Sequence, residues 1–271
     1  KNVLVDLSVI GDANIILKSL NKKIRNSKFK KLKIKNKWWK LINEWKKKNC
    51  LSFLKSNKLI KPQHALVALN NKIKKKNFYI TTEVGQHQMW AAQYIKFEKP
   101  KRWMTSGGLG TMGYGFPAAI GVQIAKPKSL VICVAGEASF LMNIQELSTV
   151  RQYRLPVKVF ILNNRYLGMV RQWQEFFHGG RYSESYTESL PDFVKLAEAY
   201  GIKGLRVTDP KNLNNTIDEM LKFDGPVIAD ICVDEKENVF PMIPSGAAHN
   251  EMKLNDHDNI ATSTKDGKML V

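Results

Sequence analysis

A three-layer α/β/α fold around a mainly parallel sheet is what this 271-residue sequence predicts, with a partial strand–helix remnant and a linker helix ahead of it. Three observations carry the prediction. Short, nearly unbroken apolar runs (FYITTEV at 78–84, SLVICVA at 129–135, VKVFIL at 157–162 and PVIADICV at 226–233) have the length and β-branched content of strands. Segments with helical spacing separate them, which is the rhythm of strand–helix–strand units. The strands are also apolar at successive positions rather than at every second one, as expected when helices cover both faces of a sheet. With 44% hydrophobic residues the chain has material for a sizeable core.

In chain order, residues 1–20 read as a strand (VLVDL), a turn at Gly11-Asp12 and a helix. Residues 21–59 read as a basic linker followed by the amphipathic helix NKWWKLINEWKKK, with Trp38, Trp39, Leu41, Ile42 and Trp45 on one stripe, expected to pack on the body, the alternatives being a membrane surface or a partner groove. The globular domain is expected over 60–252. It begins with a helix near Pro62 to Ile73, the first strand and a helix from about Gln86. A Gly-rich loop, SGGLGTMGYG, leads into the helix FPAAIGVQIA. After the second strand come a turn at Gly136-Glu137-Ala138-Ser139 and the helix MNIQELSTVRQY. The third strand ends in Asn163-Asn164, helices follow at 191–201 and 211–221, and the last strand precedes a polar tail at 253–271.

The formal charge of +19 invites a nucleic-acid reading, but its distribution speaks against one. Residues 1–77 hold 22 basic against three acidic side chains, whereas residues 78–271 hold 21 of each. Lysines outnumber arginines 35 to 8, and base readers depend on arginine's bidentate fork. No nucleic-acid partner is expected. No apolar run is long enough for a spanning helix, so no membrane partner is expected either. Cys50, Cys133 and Cys232 are far apart, without CxxC pairing, which fits a reducing, cytoplasmic setting. The opening at Lys1 suggests a piece of a longer protein.

In open α/β sheets, ligands bind at the carboxyl ends of the strands. Two such ends carry unusual residues here: Gly136-Glu137-Ala138-Ser139, whose small residues would let backbone N–H groups meet a phosphate, and Asn163-Asn164. A carboxylate and an amide oxygen on neighbouring strand tips are hard ligands, suited to a magnesium ion that bridges a diphosphate.

The Gly136-Glu137-Ala138 turn, 24 further residues and then Asn163-Asn164 resemble the fingerprint of thiamine-diphosphate enzymes. The blocks TEVGQHQMWAAQ, SGGLGTMGYGFPAAIG, SFLMNIQELSTVRQYRLPVK, LNNRYLGMVRQWQ and FPMIPSGAAHNEM narrow this to a resemblance, from Lys1 to Met252, to the catalytic large subunit of acetohydroxyacid (acetolactate) synthase. The resemblance implies the thiamine-diphosphate-binding fold for 60–252 and the end of the family's middle, FAD-type domain for 1–20. The implied activity is decarboxylation of pyruvate and condensation with pyruvate or 2-oxobutyrate, early in branched-chain amino-acid synthesis. Implied cofactors are thiamine diphosphate and Mg²⁺, with FAD in the full-length enzyme. Implied partners are small 2-keto acids and further copies of the full-length subunit, in a homodimer or tetramer. It leaves room for a regulatory small subunit and for a separate chain carrying the N-terminal half.

Carried over position by position, the resemblance gives Gln86 and His87 contact with the diphosphate, which Gly136, Ala138 and Ser139 cradle with backbone groups. Gly110 would offer its carbonyl to the aminopyrimidine, and Met112 would be the wedge that bends the cofactor. Glu137, Asn164 and the Tyr166 carbonyl would hold the metal, while Met169, Val170 and Trp173 would line the substrate channel. This sequence departs from the pattern at Glu137, where the family has aspartate. The family's catalytic glutamate belongs to an N-terminal domain, so no catalytic residue is assigned here and the chain alone is expected to be nearly inert. Two alternatives stand beside this reading: a non-catalytic remnant, and another thiamine-diphosphate-dependent 2-keto-acid enzyme.

Overall fold

A computed structural model describes residues 4–27, 36–47, 51–244 and 246–254. It divides into two compact units, 1–52 and 53–271. In the first unit, helix α1 (Ala13–Asn26) starts where the Asp12 carboxylate accepts the Ile15 N–H at 3.0 Å. It runs to Asn26 rather than ending near Leu20, because nothing in the polar run that follows breaks a helix before Ser27. The expected strand VLVDL does not form over its described residues: Leu4, Val5 and Leu7 are exposed and lack regular structure. A strand is stable only when its backbone groups pair, and the described part of this unit offers it no partner. Helix α2 (Asn36–Lys47) forms as its periodicity predicts, with Trp38 and Trp39 more than half exposed and Leu41 and Ile42 partly buried. The Trp45 side chain and linker residues 28–35 lie outside the described residues.

The second unit opens with α3 (Pro62–Ile73), whose Pro62 sits in the first turn, where its missing N–H is not needed. Then come β1 (Phe78–Thr82), α4 (Gln86–Tyr94), β2 (Trp103–Thr105), α5 (Gly115–Ala125), β3 (Leu130–Ala135), α6 (Glu137–Leu141) and α7 (Leu147–Gln152). The remainder is β4 (Lys158–Asn163), α8 (Gly168–Phe177), α9 (Phe193–Ala199), β5 (Lys203–Val207), α10 (Leu213–Lys222) and β6 (Val227–Cys232). All strand pairs are parallel, in the order β2-β1-β3-β4-β6-β5.

Alternation along each strand builds two cores. Ile132 and Val134 of β3 join Leu66 and Leu69 of α3, Trp90 of α4 and Ile217 of α10 on one face. Val131, Cys133 and Ala135 join Phe116 of α5, Val150 of α7 and Phe193 of α9 on the other. Helices on both faces of one parallel sheet are the three-layer arrangement the sequence predicts.

Three details differ from the sequence reading. The expected helix over 142–153 is broken: α6 stops at Leu141, a 3₁₀ turn spans Ile144–Glu146, and α7 takes over. The strands β2 and β5 went unread because they are the two sheet edges. An edge strand is covered less and need not be apolar throughout, as Lys203 and Arg206 in β5 illustrate. Lys253 does not begin a loose tail, since its backbone pairs with Met242 and its ammonium lies 4.1 Å from the Phe176 ring centre. Residues 255–271 lie outside the described ones.

Candidate functional site

From β1 the chain passes to β2 on one side and to β3 on the other, so the order of the sheet reverses at the carboxyl ends of β1 and β3. Such a reversal leaves a crevice where the two following loops diverge. A cavity of about 270 Å³ sits there. Its wall brings together all the residues expected to touch a cofactor: Gln86 and His87 from the start of α4, Gly110 and Met112 from the Gly-rich loop, Gly136, Ala138 and Ser139 after β3, and Asn164 after β4. Tyr166, Met169 and Val170 line it too. A second, open cavity of about 610 Å³ shares Met169 and Val170 and adds Trp173, His178 and Arg181. Of the expected channel residues, Met169 and Val170 line both cavities and Trp173 only the second.

His87 is buried between two backbone turns. A Cβ added to Gly136 would lie 2.8 Å from its Nδ1, and one on Gly85 would lie 2.9 Å from its Cε1. Only glycines leave room for the ring. Burial pushes the imidazole down to about 3, against the upward pull of a hydrogen bond to the Glu83 backbone, so the ring is neutral at physiological pH. Its Nε2 has no hydrogen-bond partner. A buried polar atom without a partner, on a cavity wall, is a natural contact for a ligand.

Glu137, the expected metal ligand, lines neither cavity but is buried between Gly136 and Ala138 of the first wall. It is 1% exposed, and neither carboxylate oxygen makes a hydrogen bond of normal geometry. Burial pushes its carboxyl up to about 8, with the Asp230 charge adding to the rise. The nearby backbone N–H groups of Glu137, Asn164 and Tyr166 offset only part of that. A cation beside the carboxylate would satisfy it. Among the described residues no group of three or more His, Cys, Asp or Glu could hold a metal by itself. The donor set suits magnesium that draws further oxygens from a phosphate-bearing ligand, since that ion is commonly held by one or two carboxylates plus substrate phosphates.

Asn164 donates to Gln86 Oε1 at 3.0 Å and accepts the Tyr166 N–H at 3.2 Å. Gln86 in turn donates to Gln172 Oε1 at 2.8 Å and to the Glu237 carbonyl at 3.1 Å. Both Gln86 N–H bonds are thus taken within the protein, and its amide orients Asn164 instead of reaching freely into the cavity. Gln172, missed in the sequence, completes this buried relay by accepting the Val239 N–H at 2.8 Å and donating to the Val239 carbonyl at 3.1 Å. Its signal was the pair Arg171-Gln172, two polar residues that α8 turns inward. Asn163 does not face the cavity wall. It donates to Asp230 at 2.9 Å, and Asp230 also accepts from Arg206 at 2.9 Å.

Residues 83–231 match the family model described as "Thiamine pyrophosphate enzyme, C-terminal TPP binding domain"; pyrophosphate and diphosphate name the same group. The chain is 46% identical over 94% of its length to the acetolactate synthase isozyme 3 large subunit of Escherichia coli, covering 45% of that protein. It is 44% identical to the acetolactate synthase large subunit of Haemophilus influenzae and 48% identical to one from Buchnera aphidicola, over 94% of this chain and 44% of each relative. It therefore spans less than half the length of these relatives.

Proposed function

We propose that this chain, which belongs to the thiamine pyrophosphate enzyme family through the C-terminal cofactor-binding domain at 83–231, is the cofactor-holding portion of an acetolactate synthase large subunit. The observation that carries the reading is Glu137: a buried carboxylate with no partner, at the tip of β3, beside Asn164 at the tip of the adjacent β4. In this reading Glu137, Asn164 and the Tyr166 carbonyl hold Mg²⁺. His87 and the backbone N–H groups of Ala138 and Ser139 take the diphosphate oxygens. Ser139 keeps its hydroxyl for the Val84 carbonyl at 2.9 Å, which ties the turn after β3 to the end of β1. Gly110 and Met112 line the same cavity as the strand-tip residues, and in this reading Met169, Val170 and Trp173 form the apolar approach for a 2-keto acid.

Bound thiamine diphosphate supplies the carbanion chemistry for decarboxylating one 2-keto acid and condensing the remainder with pyruvate or 2-oxobutyrate. The residues here bind, orient and exclude water. The proton-relaying glutamate, FAD, further copies of the subunit, a regulatory subunit and a cytoplasmic setting belong to the full-length assembly in this proposal. No helix among the described residues is long and apolar enough to cross a membrane. The test is calorimetric titration of thiamine diphosphate into the chain with and without Mg²⁺, followed by assay for acetolactate after mixing with a chain that carries the N-terminal half. Metal-dependent binding and acetolactate formed only in the mixture are expected. Cofactor binding indifferent to Mg²⁺ would overturn the metal assignment, and no binding up to millimolar cofactor would overturn the reading of the cavity.

A further inference from the structure

We infer that Glu83 and Asn143 are positioning residues that clamp the turn at Gly113 and thereby set Met112 and Gly110 against the cavity. The inference rests on the thiamine-diphosphate reading of that cavity. Glu83 stands at the end of β1 with its side chain fully buried. Burying a carboxylate is costly unless it is hydrogen-bonded or paired with a cation, and here both oxygens are hydrogen-bonded. One accepts the Gly113 N–H at 2.7 Å and the other the Phe116 N–H, in the first turn of α5, at 2.8 Å. On the other side of the same residue, the Gly113 carbonyl accepts from Asn143 Nδ2 at 2.6 Å. Both peptide units at Gly113 are therefore held by side chains from two other parts of the fold.

The rest of the loop has little else to fix it. An added Cβ would meet nothing within 4 Å at Gly108, and at Gly107 and Gly110 only a single methyl near that limit. Among the described residues its tethers are the clamp, the Thr111 N–H bonded to Ser106 Oγ at 2.9 Å and, at the start of the loop, Gln88 Nε2 donating to the Ser106 carbonyl at 3.5 Å. Gly113 has φ +88°, a conformation that needs external support or glycine, and Gly115 passes so close to Thr82 and Glu83 that a Cβ would lie 2.5 Å from their backbone atoms. Met112 is one residue from the clamp. Among the described residues the Glu83 and Asn143 side chains make no hydrogen bond to Gly136, Ala138, Ser139 or Asn164, which form the strand-tip half of the cavity, and His87 is bonded to the Glu83 backbone, which neither substitution changes. Glu83 and Asn143 should therefore govern the grip on one end of the cofactor and not the other.

The experiment compares the full 271-residue chain with its Glu83→Gln and Asn143→Ala variants, titrating thiamine diphosphate and, separately, inorganic diphosphate, both with Mg²⁺. Glu83→Gln keeps the shape but points an N–H₂ at a backbone N–H. Asn143→Ala releases the same turn without touching a buried charge, so it remains informative if the first variant folds poorly. The expected result is a tenfold or greater loss of thiamine-diphosphate affinity in both variants, with inorganic diphosphate unchanged within twofold. Parallel loss of both ligands, accompanied by a lower melting temperature, would make the residues merely structural and overturn the inference. Unchanged thiamine-diphosphate binding in both variants, with the unmodified chain binding normally, would overturn the clamp alone. An unmodified chain that binds inorganic diphosphate but not thiamine diphosphate would overturn the reading on which the clamp rests.

Discussion

Replacing Gly136 by alanine tests the packing at the centre of the site. The backbone there, at φ −93° and ψ 155°, is open to any residue, so the substitution strains nothing by itself. Its new methyl would lie 2.8 Å from His87 Nδ1 and 2.9 Å from Cε1. A Cβ on Gly85 would likewise fall 2.9–3.1 Å from the same two atoms, so glycine at both positions leaves the ring its room. Overpacking of this kind costs about 1–3 kcal/mol. Alanine also restricts the unfolded chain, which returns about 0.4–1 kcal/mol. The net loss is about 0–2.6 kcal/mol, at about 2–4 °C in Tm per kcal/mol for a domain of this size. Thermal unfolding of Gly136→Ala, His87→Ala and the double variant reads the coupling directly. Without the ring, Gly136→Ala should be neutral or slightly stabilising. If it destabilises equally with and without His87, the close approach is not what requires glycine here.

Three further outcomes are expected. Glu137→Asp, which restores the family's residue, should raise Mg²⁺-dependent cofactor affinity about tenfold to a hundredfold, or about 1.4–2.7 kcal/mol, in calorimetry; equal affinities would show that the longer side chain is accommodated. Gln172→Leu leaves the Val239 N–H and one Gln86 N–H without acceptors, each worth about 1–3 kcal/mol when buried, so the Tm should fall by several degrees; an unchanged Tm would contradict the relay. Lys158 is buried on β4, where desolvation pulls its ammonium down to about 8. Between about 8 and the ordinary 10.5 the unfolded chain binds more protons, so stability rises with pH across that window, by about 1–3 kcal/mol, and the penalty is fully present below it. Urea melts across this window should lose that rise in Lys158→Met.

The central elements were legible because their signals are local. Strands β1, β3, β4 and β6 are apolar on both faces, α3 and α5 show uninterrupted helical stretches, and the turn residues around Gly136 and Asn164 mark the strand ends. The misreadings also have local causes. The run at 142–153 contains nothing that forbids a continuous helix, but the Asn143 side chain is drawn away to the Gly113 carbonyl and the helix breaks there. Leu4 to Leu7 have strand composition, yet composition cannot supply the neighbouring strand that would pair with them. Edge strands β2 and β5 lack the two-sided burial that makes a strand visible.

By itself the sequence determined the layer architecture, because the strand and helix patterns and the turn chemistry are legible within a few residues, and its motif blocks carried the family resemblance that named the residues of one crevice. Only the tertiary structure decided what each group does there. The sequence presents Gln86 and Asn164 as separate polar residues, whereas folding bonds them to each other and to Gln172 across 78 and 86 positions of chain. It presents Glu83 and Glu137 as two carboxylates, and folding buries both. One is met by backbone N–H groups, which is the basis of the proposed clamp, while the other is left without a hydrogen-bond partner, which is the basis of the proposed cation site. That difference depends on which backbone groups the fold brings within hydrogen-bond reach, and no local pattern encodes it.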